Sequence, residues 1–297
     1  MTDIGDLRAS VEAYERRLRR GSADLAAQDA DPSLVALFRT IDERRSRRSS
    51  VRGSTVAVSA PRPPVQTADA PGRVISVREH GSLVRVIRIG RPPTLSFRAG
   101  QYVKLGVDGG ERRKFSIASA PHDPHLDVAV ELQPGGTVSP ALFALAEGAA
   151  VDVADAAQGK LQLDPDAHDH LMIATVTGIA PLWSMVLDAL HQGTAARFTI
   201  LHGASLATEF PFYDELAALA EADERVDYVP TVSRPDDPAN RMWRGATGRV
   251  DVVAQRVAPR FDPATTRVYA VGNEGMIAAV VRDLGAAGFT VSTESYG

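Results

Sequence analysis

The sequence of 297 residues contains no cysteine. Without thiols the chain cannot form a disulfide, hold an iron–sulfur cluster through thiolates or build a cysteine-based zinc site. Any redox chemistry that the protein performs must therefore depend on an organic cofactor or a haem.

Positive charge is not in excess either, since 33 Lys and Arg residues stand against 37 Asp and Glu residues, for a net charge of −4. This balance argues against nucleic acid as a partner. Apolar runs are short, and none approaches the roughly 18 residues of a membrane span. The N-terminus also lacks the basic and then apolar pattern of a signal peptide. We therefore expect a cytoplasmic protein with no membrane span.

Lysine is scarce in this chain. Lys104, Lys114 and Lys160 are its only lysines, and the other 30 basic side chains are arginines. Genome base composition can produce such a bias without selection, so a single arginine is weak evidence for a binding site.

The first 72 residues differ in pattern from the rest. Residues 1–50 carry apolar side chains at helical spacing, which predicts a helical arm. Residues 51–72 are rich in Ser, Pro and Ala without sustained periodicity, which predicts a linker. The charged run 43–48 in the arm is either a solvated helix end or a surface that docks an acidic partner.

The remaining chain shows two periodicities. Between residues 73 and 165, short alternating segments are separated by Gly, Pro and Asp, as in a small antiparallel β-barrel. Between 166 and 297, strands alternate with helices expected at 180–192, 212–222 and 276–287. That alternation predicts a doubly wound parallel α/β sheet. The predicted fold has two domains, the barrel followed by the α/β sheet, and an N-terminal helical arm.

The first candidate site is the string Arg113, Lys114, Phe115 and Ser116, which follows a predicted strand and a Gly-Gly turn. A guanidinium there can bind a diphosphate through two parallel hydrogen bonds. The ring of Phe115 and the hydroxyl of Ser116 suit a flat cofactor. The alternative is an exposed arginine on a barrel strand, with Phe115 in the core.

Two further loops combine glycines with a helix start. Gly135, Gly136 and Ser139 lie between a strand and a short helix, where bare backbone N–H groups bind phosphate and Ser139 would cap the helix. The alternative is a turn that only caps the helix. The loop 175–181 follows the first parallel strand, where doubly wound sheets commonly bind nucleotide phosphates, and Pro181 suits a first helical position.

The order of these motifs resembles that of the ferredoxin–NADP reductase superfamily over about residues 73–297. The matching strings are RKFS (113–116), GGTVS (135–139), TGIAP (177–181), TVSRP (231–235), VGNEGM (271–276) and the terminal Glu294-Ser295-Tyr296. The resemblance implies a flavin-binding barrel, a following nicotinamide-nucleotide domain, and FAD at their junction.

The resemblance also implies which residues bind the cofactors. For FAD they are Arg113, Lys114, Phe115, Ser116, Gly135, Gly136, Ser139 and Tyr296. For the diphosphate and nicotinamide of NADP or NAD they are Thr177, Gly178, Pro181, Gly272 and Met276. Ser233, Arg234 and Arg249 are positioned to contact a 2′-phosphate, which favours NADP slightly over NAD.

The implied reaction is hydride transfer from NAD(P)H to the flavin, followed by electron transfer, one electron at a time, to a separate ferredoxin, Rieske or haem protein. Ser116 would hydrogen-bond near the reactive flavin nitrogen, Glu294 would orient nicotinamide or relay a proton, and Tyr296 would shield the flavin face. The alternative for Tyr296 is a frayed terminus. The N-terminal arm is a candidate docking element for the acceptor.

Three departures from the family pattern keep other functions open. Val176, with Thr175, stands where the family usually has a Gly-rich run, and Val271 stands where many members have a cysteine. Asn273, with Glu274, replaces a common proline-containing segment. These changes are compatible with a flavin-bearing electron-transfer or regulatory subunit with little dehydrogenase activity. A detached flavohaemoglobin-type reductase module, docked through the arm, is the other alternative. The histidines near 166–170 lie in Asp- and Pro-rich turns, and we predict no metal site there.

Overall fold

The structure is a computed structural model of the chain and describes residues 71–295. The predicted arm (1–50), most of the predicted linker (51–72) and Tyr296 lie outside the described residues.

The first half contains two three-stranded antiparallel sheets. One has the order β1-β2-β5 and consists of β1 (Val74–His80), β2 (Val84–Gly90) and β5 (His125–Glu131). The other has the order β4-β3-β6 and consists of β3 (Tyr102–Gly106), β4 (Arg113–Ser116) and β6 (Asp152–Val153). A bridge between Ile117 and Val128 joins them, and helix α1 (Val138–Phe143) covers one end. Buried β-branched and aliphatic side chains from both sheets form a single core, as the alternating pattern predicts.

The second half is a six-stranded parallel sheet in the order β10-β9-β8-β7-β11-β12. The strands are β7 (Asp169–Thr175), β8 (Arg197–Ala204), β9 (Val226–Val232), β10 (Ala246–Thr247), β11 (Thr266–Gly272) and β12 (Thr290–Ser295). The strand order reverses between β7 and β11. Ligands of doubly wound sheets bind at the carboxyl ends of such strands, so the loops after β7 and β11 define the expected nucleotide site.

Helices cover both faces of this sheet. They are α2 (Ile179–His191), α3 (Tyr213–Ala222), α4 (Val250–Val257) and α5 (Glu274–Ala286). Side chains of α2 and α3 share one core with the sheet, and side chains of α4 and α5 share a second. Helix α4 was not predicted from the sequence, although its buried Val250, Val253, Ala254 and Val257 have helical spacing. Within residues 71–295, no helix combines the length and apolar character needed to cross a bilayer.

Polar contacts connect the barrel to the parallel sheet. The buried Ser184 hydroxyl in α2 donates a hydrogen bond to the Ser119 carbonyl, with 2.7 Å between the oxygens. Arg78 of β1 pairs with Glu215 of α3. These contacts fix the relative position of the two halves and therefore of the cleft between them.

Candidate functional site

The most informative contact in the cleft joins residues 178 positions apart in the chain. The Ser116 hydroxyl at the end of β4 donates a hydrogen bond to Oε1 of Glu294 in β12, at 3.0 Å. Ser116 is buried, and burial raises the pKa of Glu294 above its ordinary value, although the bond from Ser116 and the charge of Lys114 lower it in part. Two residues predicted to act together thus meet where the barrel contacts the parallel sheet.

A cavity of about 520 Å³ opens beside this pair. Tyr102 and Lys160 contribute its barrel side, and Arg267 and Glu294 contribute its sheet side. The Lys114 ammonium lies 5.2 Å from the centre of the Tyr102 ring. The cavity therefore combines an aromatic surface with hydrogen-bonding and charged groups.

The predicted flavin motif on β4 is divided between the two faces of its sheet. Phe115 pairs with the buried Val103 and packs against the barrel core, whereas Ser116 pairs with Tyr102 on the cleft face. The guanidinium of Arg113 is exposed and forms an ion pair with Glu111 at 2.6 Å. The position of Phe115 on the sheet thus matches the alternative of a core phenylalanine. Arg113 is exposed to a ligand, whereas Ser116 is buried and bonded to Glu294.

The glycine loop after β5 leaves its backbone open. Gly135 and Gly136 are exposed, and a Cβ at Gly135 would have no heavy atom within 4 Å. The predicted role of Ser139 as helix cap is not observed, because its hydroxyl accepts a hydrogen bond from the Gln133 amide and Thr137 occupies the N-cap position. The open backbone at Gly135 leaves space for phosphate oxygens, whereas the predicted bare N–H of Gly136 is not observed, because it donates to the Gln133 carbonyl at 2.9 Å.

The turn after β7 is held by close packing. It is a 3-10 turn, Val176–Gly178, that leads directly into α2. A Cβ on Gly178 would collide with the Val271 carbonyl of β11, so only glycine fits there. Pro181 is the third residue of α2 rather than the first, and its missing N–H costs nothing in the first turn. Thr177 donates a hydrogen bond to Glu131 of β5, across the cleft.

The buried His202 of β8 holds the turn Val176–Gly178 through a hydrogen bond. Val176 has φ of 43°, a conformation that a β-branched residue rarely adopts. The carbonyl of Val176 accepts a hydrogen bond from Nε2 of His202 at 2.8 Å, and the Tyr228 hydroxyl lies 3.1 Å from Nδ1. Because a carbonyl can only accept, Nε2 carries the proton and Nδ1 accepts from Tyr228. Burial lowers the pKa of His202 to about 4.

The loop after β11 meets this turn. Gly272 has φ of 128°, and any Cβ there would collide with the Thr175 hydroxyl. Asn273 caps α5 by accepting from the amides of Gly275 and Met276. The side chain of Met276 is buried in the core under α4 and α5, so this predicted ligand does not face the cleft.

The residues expected to contact a 2′-phosphate come together at one corner of the sheet. Ser233 and Arg234 follow β9 and are exposed, and Arg249 follows the neighbouring β10. Arg249 pairs with Asp251 at 3.1 Å. Within residues 71–295, no ion pair is observed for Arg234, so its guanidinium is available to an anion.

The comparisons with known proteins agree with this geometry. A family model described as oxidoreductase NAD-binding domain matches residues 172–282. The ferredoxin–NADP reductase B of Sorangium cellulosum is 34% identical over 232 residues, which are 74% of this chain and 92% of that protein. The chain belongs to the ferredoxin–NADP reductase superfamily.

Two other similar proteins extend the comparison of this reductase. The reductase subunit of an aromatic O-demethylase from Amycolatopsis is 33% identical over 181 residues, 58% of this chain and 54% of that protein. The chain thus spans about half of that relative. The crystal structure of a ferredoxin NADP+ reductase from Neisseria gonorrhoeae, with bound FAD and NADP, has a TM-score of 0.66 at 24% identity and covers 75% of this chain and 96% of that one. This last similarity concerns the fold.

Several predictions from the sequence are confirmed for this reductase. It has the predicted two-part fold, and it is an FAD-dependent NAD(P)H oxidoreductase of the electron-transfer kind. The names of its relatives favour a reductase over a regulatory subunit with little activity or a detached flavohaemoglobin-type module.

Sequence reasoning missed three residues at the cleft. Tyr102 lies there because its strand β3 pairs with β4, which carries Ser116. Glu131 lies there because its carboxylate accepts from Thr177 in the turn after β7. Glu111 contacts both Arg113 and the glycine loop. Tyr102 could have been found from strand alternation, because it shares a face with Ser116. Nothing in the sequence pattern distinguishes Glu111 or Glu131 from surface acids.

Proposed function

We propose that residues 73–165 bind FAD, that residues 166–297 bind the nicotinamide nucleotide, and that Ser116 and Glu294 mark the point of hydride transfer. The hydrogen bond between these two side chains is the observation that carries this proposal. It brings the end of the flavin motif to the C-terminal strand of the parallel sheet, beside a cavity of about 520 Å³.

The residues of the barrel fit an FAD diphosphate. The exposed guanidinium of Arg113 offers a planar pair of donors, and Gly135 leaves the backbone of its loop uncovered. Thr137 contributes a hydroxyl, and α1 begins directly after it. Lys114 adds positive charge on the cleft face. These features support binding of the diphosphate at the start of β4 and the loop before α1.

The residues of the parallel sheet fit a dinucleotide. Thr177 and Gly178 lie at the strand-order reversal, and the α5 N-terminus begins after Gly272 on the neighbouring strand. Ser233, Arg234 and Arg249 then suit the adenosine end with its 2′-phosphate. This arrangement supports NADPH over NADH.

Ser116 and Glu294 would act together on the reacting atoms. When bound, FAD would supply the hydride acceptance and the release of single electrons, chemistry that the side chains cannot supply. Glu294 orients the Ser116 hydroxyl by accepting its hydrogen bond. The raised pKa of Glu294 helps this carboxyl hold a proton beside the site. The predicted shielding role of Tyr296 remains a proposal, since that residue lies outside the described part of the chain.

The acceptor is proposed to be a separate iron–sulfur or haem protein. Relatives named as reductases of ferredoxin and of an aromatic O-demethylase support this proposal. The barrel face beside the cleft carries all three lysines of the chain: Lys104 pairs with Lys114, and Lys160 lies beside Tyr102. Positive charge on that face would steer an acidic partner to the cofactor.

Charge reversal tests this docking face. Changing Lys104, which does not line the cavity, to Glu should lower the second-order rate of reduction of an acidic ferredoxin by about threefold at low salt, while a small dye is reduced as before. Arg256→Glu, an exposed change on α4, is the matched control. Equal loss with the control variant would contradict docking at the lysines.

A role for the N-terminal arm in docking is proposed on the sequence alone. Deleting residues 1–50 should abolish reduction of the protein acceptor but spare reduction of the dye. Equal loss of both activities would argue against it. A cytoplasmic location also remains a prediction from the sequence, and cell fractionation would test it.

The proposed function is tested by the cofactor content and by rapid mixing. The purified protein should be yellow and release FAD, and NADPH should bleach its visible flavin band within seconds. Ser116→Ala and Glu294→Gln should each slow bleaching by on the order of 10²-fold through misplacement of the reacting groups. Ser295→Ala, an exposed neighbour in β12, should leave the rate unchanged. A colourless protein that does not take up FAD would overturn the proposal.

A further inference from the structure

Glu111 joins the two elements proposed to bind the flavin diphosphate. Its Oε1 lies 2.6 Å from Nη2 of Arg113, and its Oε2 accepts a hydrogen bond from the Thr137 hydroxyl at 2.7 Å. Both carboxylate oxygens are thus engaged by donors that face a phosphate in the proposed function. A carboxylate and a phosphate use the same planar guanidinium and hydroxyl donors, so they compete for them.

The backbone holds Glu111 in this position. A Cβ on Gly106 would lie 2.6 Å from the Glu111 carbonyl oxygen, so the two backbones are in close contact. The preceding turn is fixed because the Gly109 amide donates to Asp152 at 2.6 Å. Rotation of the Glu111 side chain can move the carboxylate away from Arg113. The fixed backbone keeps the carboxylate close to the site even then.

We propose that Glu111 is an internal anion that competes with the FAD diphosphate for Arg113 and the glycine loop and thereby weakens FAD binding. This inference rests on the proposed flavin site. Exposed ion pairs contribute little, and here the two side chains are 66% and 47% exposed, so a diphosphate can displace the carboxylate. After displacement the carboxylate stays within a Debye length of the phosphates and repels them.

A second effect of the same residue has the opposite sign. The contacts of Glu111 also order Arg113 and Thr137 before a ligand arrives, and preorganisation strengthens binding. The measured sign of the Glu111 effect on FAD affinity therefore decides between competition and preorganisation.

Glu111→Gln separates these effects because glutamine keeps the size and one acceptor but loses the charge. Calorimetric titration of the Glu111→Gln apoprotein with FAD should give a Kd roughly three to ten times lower than that of the unmodified protein at low ionic strength. The gain should shrink at high salt. Glu147→Gln removes the same charge from an exposed site on the same barrel and should leave the Kd unchanged. An unchanged or higher Kd for Glu111→Gln would overturn the inference.

Arg113→Ala distinguishes failure of this inference from failure of the proposed site. If Arg113 binds the diphosphate, its removal raises the Kd for FAD, and Glu111→Gln then gives no gain in the Arg113→Ala background. If Arg113→Ala leaves the Kd unchanged, the proposed flavin site is wrong. If it raises the Kd while Glu111→Gln gives no gain, only the competition by Glu111 is refuted. The shift of the unfolding midpoint on adding FAD provides a second readout in each variant.

Discussion

The barrel presents its proposed phosphate ligands on exposed strands and loops, whereas the parallel sheet frames its proposed site with buried backbone. Arg113 and the glycine loop contact solvent and Glu111. On the other side, the loops after β7 and β11 pack so closely that Gly178 and Gly272 have no space for a side chain. Charge should therefore tune the barrel side, whereas packing fixes the geometry of the sheet side.

Gly272→Ala should have the largest effect of any single substitution, because it tests the packing of the sheet side directly. The new methyl group meets the Thr175 hydroxyl while the backbone keeps a φ of 128°. Overpacking and backbone strain together should cost about 3 kcal/mol of unfolding free energy. Urea unfolding of the FAD-saturated protein measures this cost.

A matched glycine in the same domain gives the opposite sign. Gly285 lies in α5, and a Cβ there meets nothing within 4 Å. Gly285→Ala should therefore stabilise the protein by up to about 1 kcal/mol through helix propensity. Equal destabilisation by both substitutions would show that close packing at Gly272 is not the cause.

Acid should have the second effect, because protonation of His202 and His170 in the unfolded state lowers the unfolding free energy. Burial lowers the pKa of each to about 4, so the unfolded state takes up their protons first as the pH falls below 6.5. Stability is therefore complete above pH 6.5 and declines towards pH 4, by about 2 kcal/mol per histidine at pH 5. Urea unfolding at several pH values measures the slope.

His202→Gln isolates the contribution of the histidine below Val176. The amide can still donate to the Val176 carbonyl but does not titrate, so the pH slope should fall by about half. An unchanged slope between pH 6.5 and 5 would show that His202 does not control the acid sensitivity.

Arg234→Ala sharpens the comparison at an exposed part of the sheet side. If Arg234 binds the 2′-phosphate, the KM for NADPH should rise by about tenfold, equivalent to about 1.4 kcal/mol, whereas the KM for NADH should not change. Steady-state kinetics with both coenzymes measure the ratio, and Arg256→Ala serves as control. Equal changes for the two coenzymes would remove Arg234 from the phosphate site.

Glu131→Gln should have the smallest effect and tests the junction between the two sides. Burial and the charge of Glu209 raise the pKa of Glu131 above its ordinary value. The charged form is therefore disfavoured in the folded protein, and stability from this group is lost as the pH rises. At pH 7 the variant should be more stable by no more than about 1 kcal/mol, because its amide oxygen can still accept from Thr177. A lower unfolding midpoint would indicate that the charge itself holds Thr177.

Much of the fold was determined by the sequence, because periodicity is a local property. Alternation along β2 and the strand–helix alternation after residue 166 predict the two kinds of sheet without any long-range information. The order of the motifs also predicted the reductase family. Helix α4 also has a local signal, the helical spacing of Val250, Val253 and Val257, although it was not predicted.

The site itself was decided by tertiary structure. Ser116 and Glu294 are 178 residues apart and lie in different sheets, and only the packing of the barrel against the parallel sheet places β12 beside the end of β4. The same holds for Met276, whose motif position suggested a ligand but whose side chain faces the core. The interaction of Glu111 with Thr137 likewise arises when two loops of the barrel meet. A motif fixes which residue types are present. The direction in which each side chain points, and the residues that it contacts, depend on packing between segments that are distant in the chain.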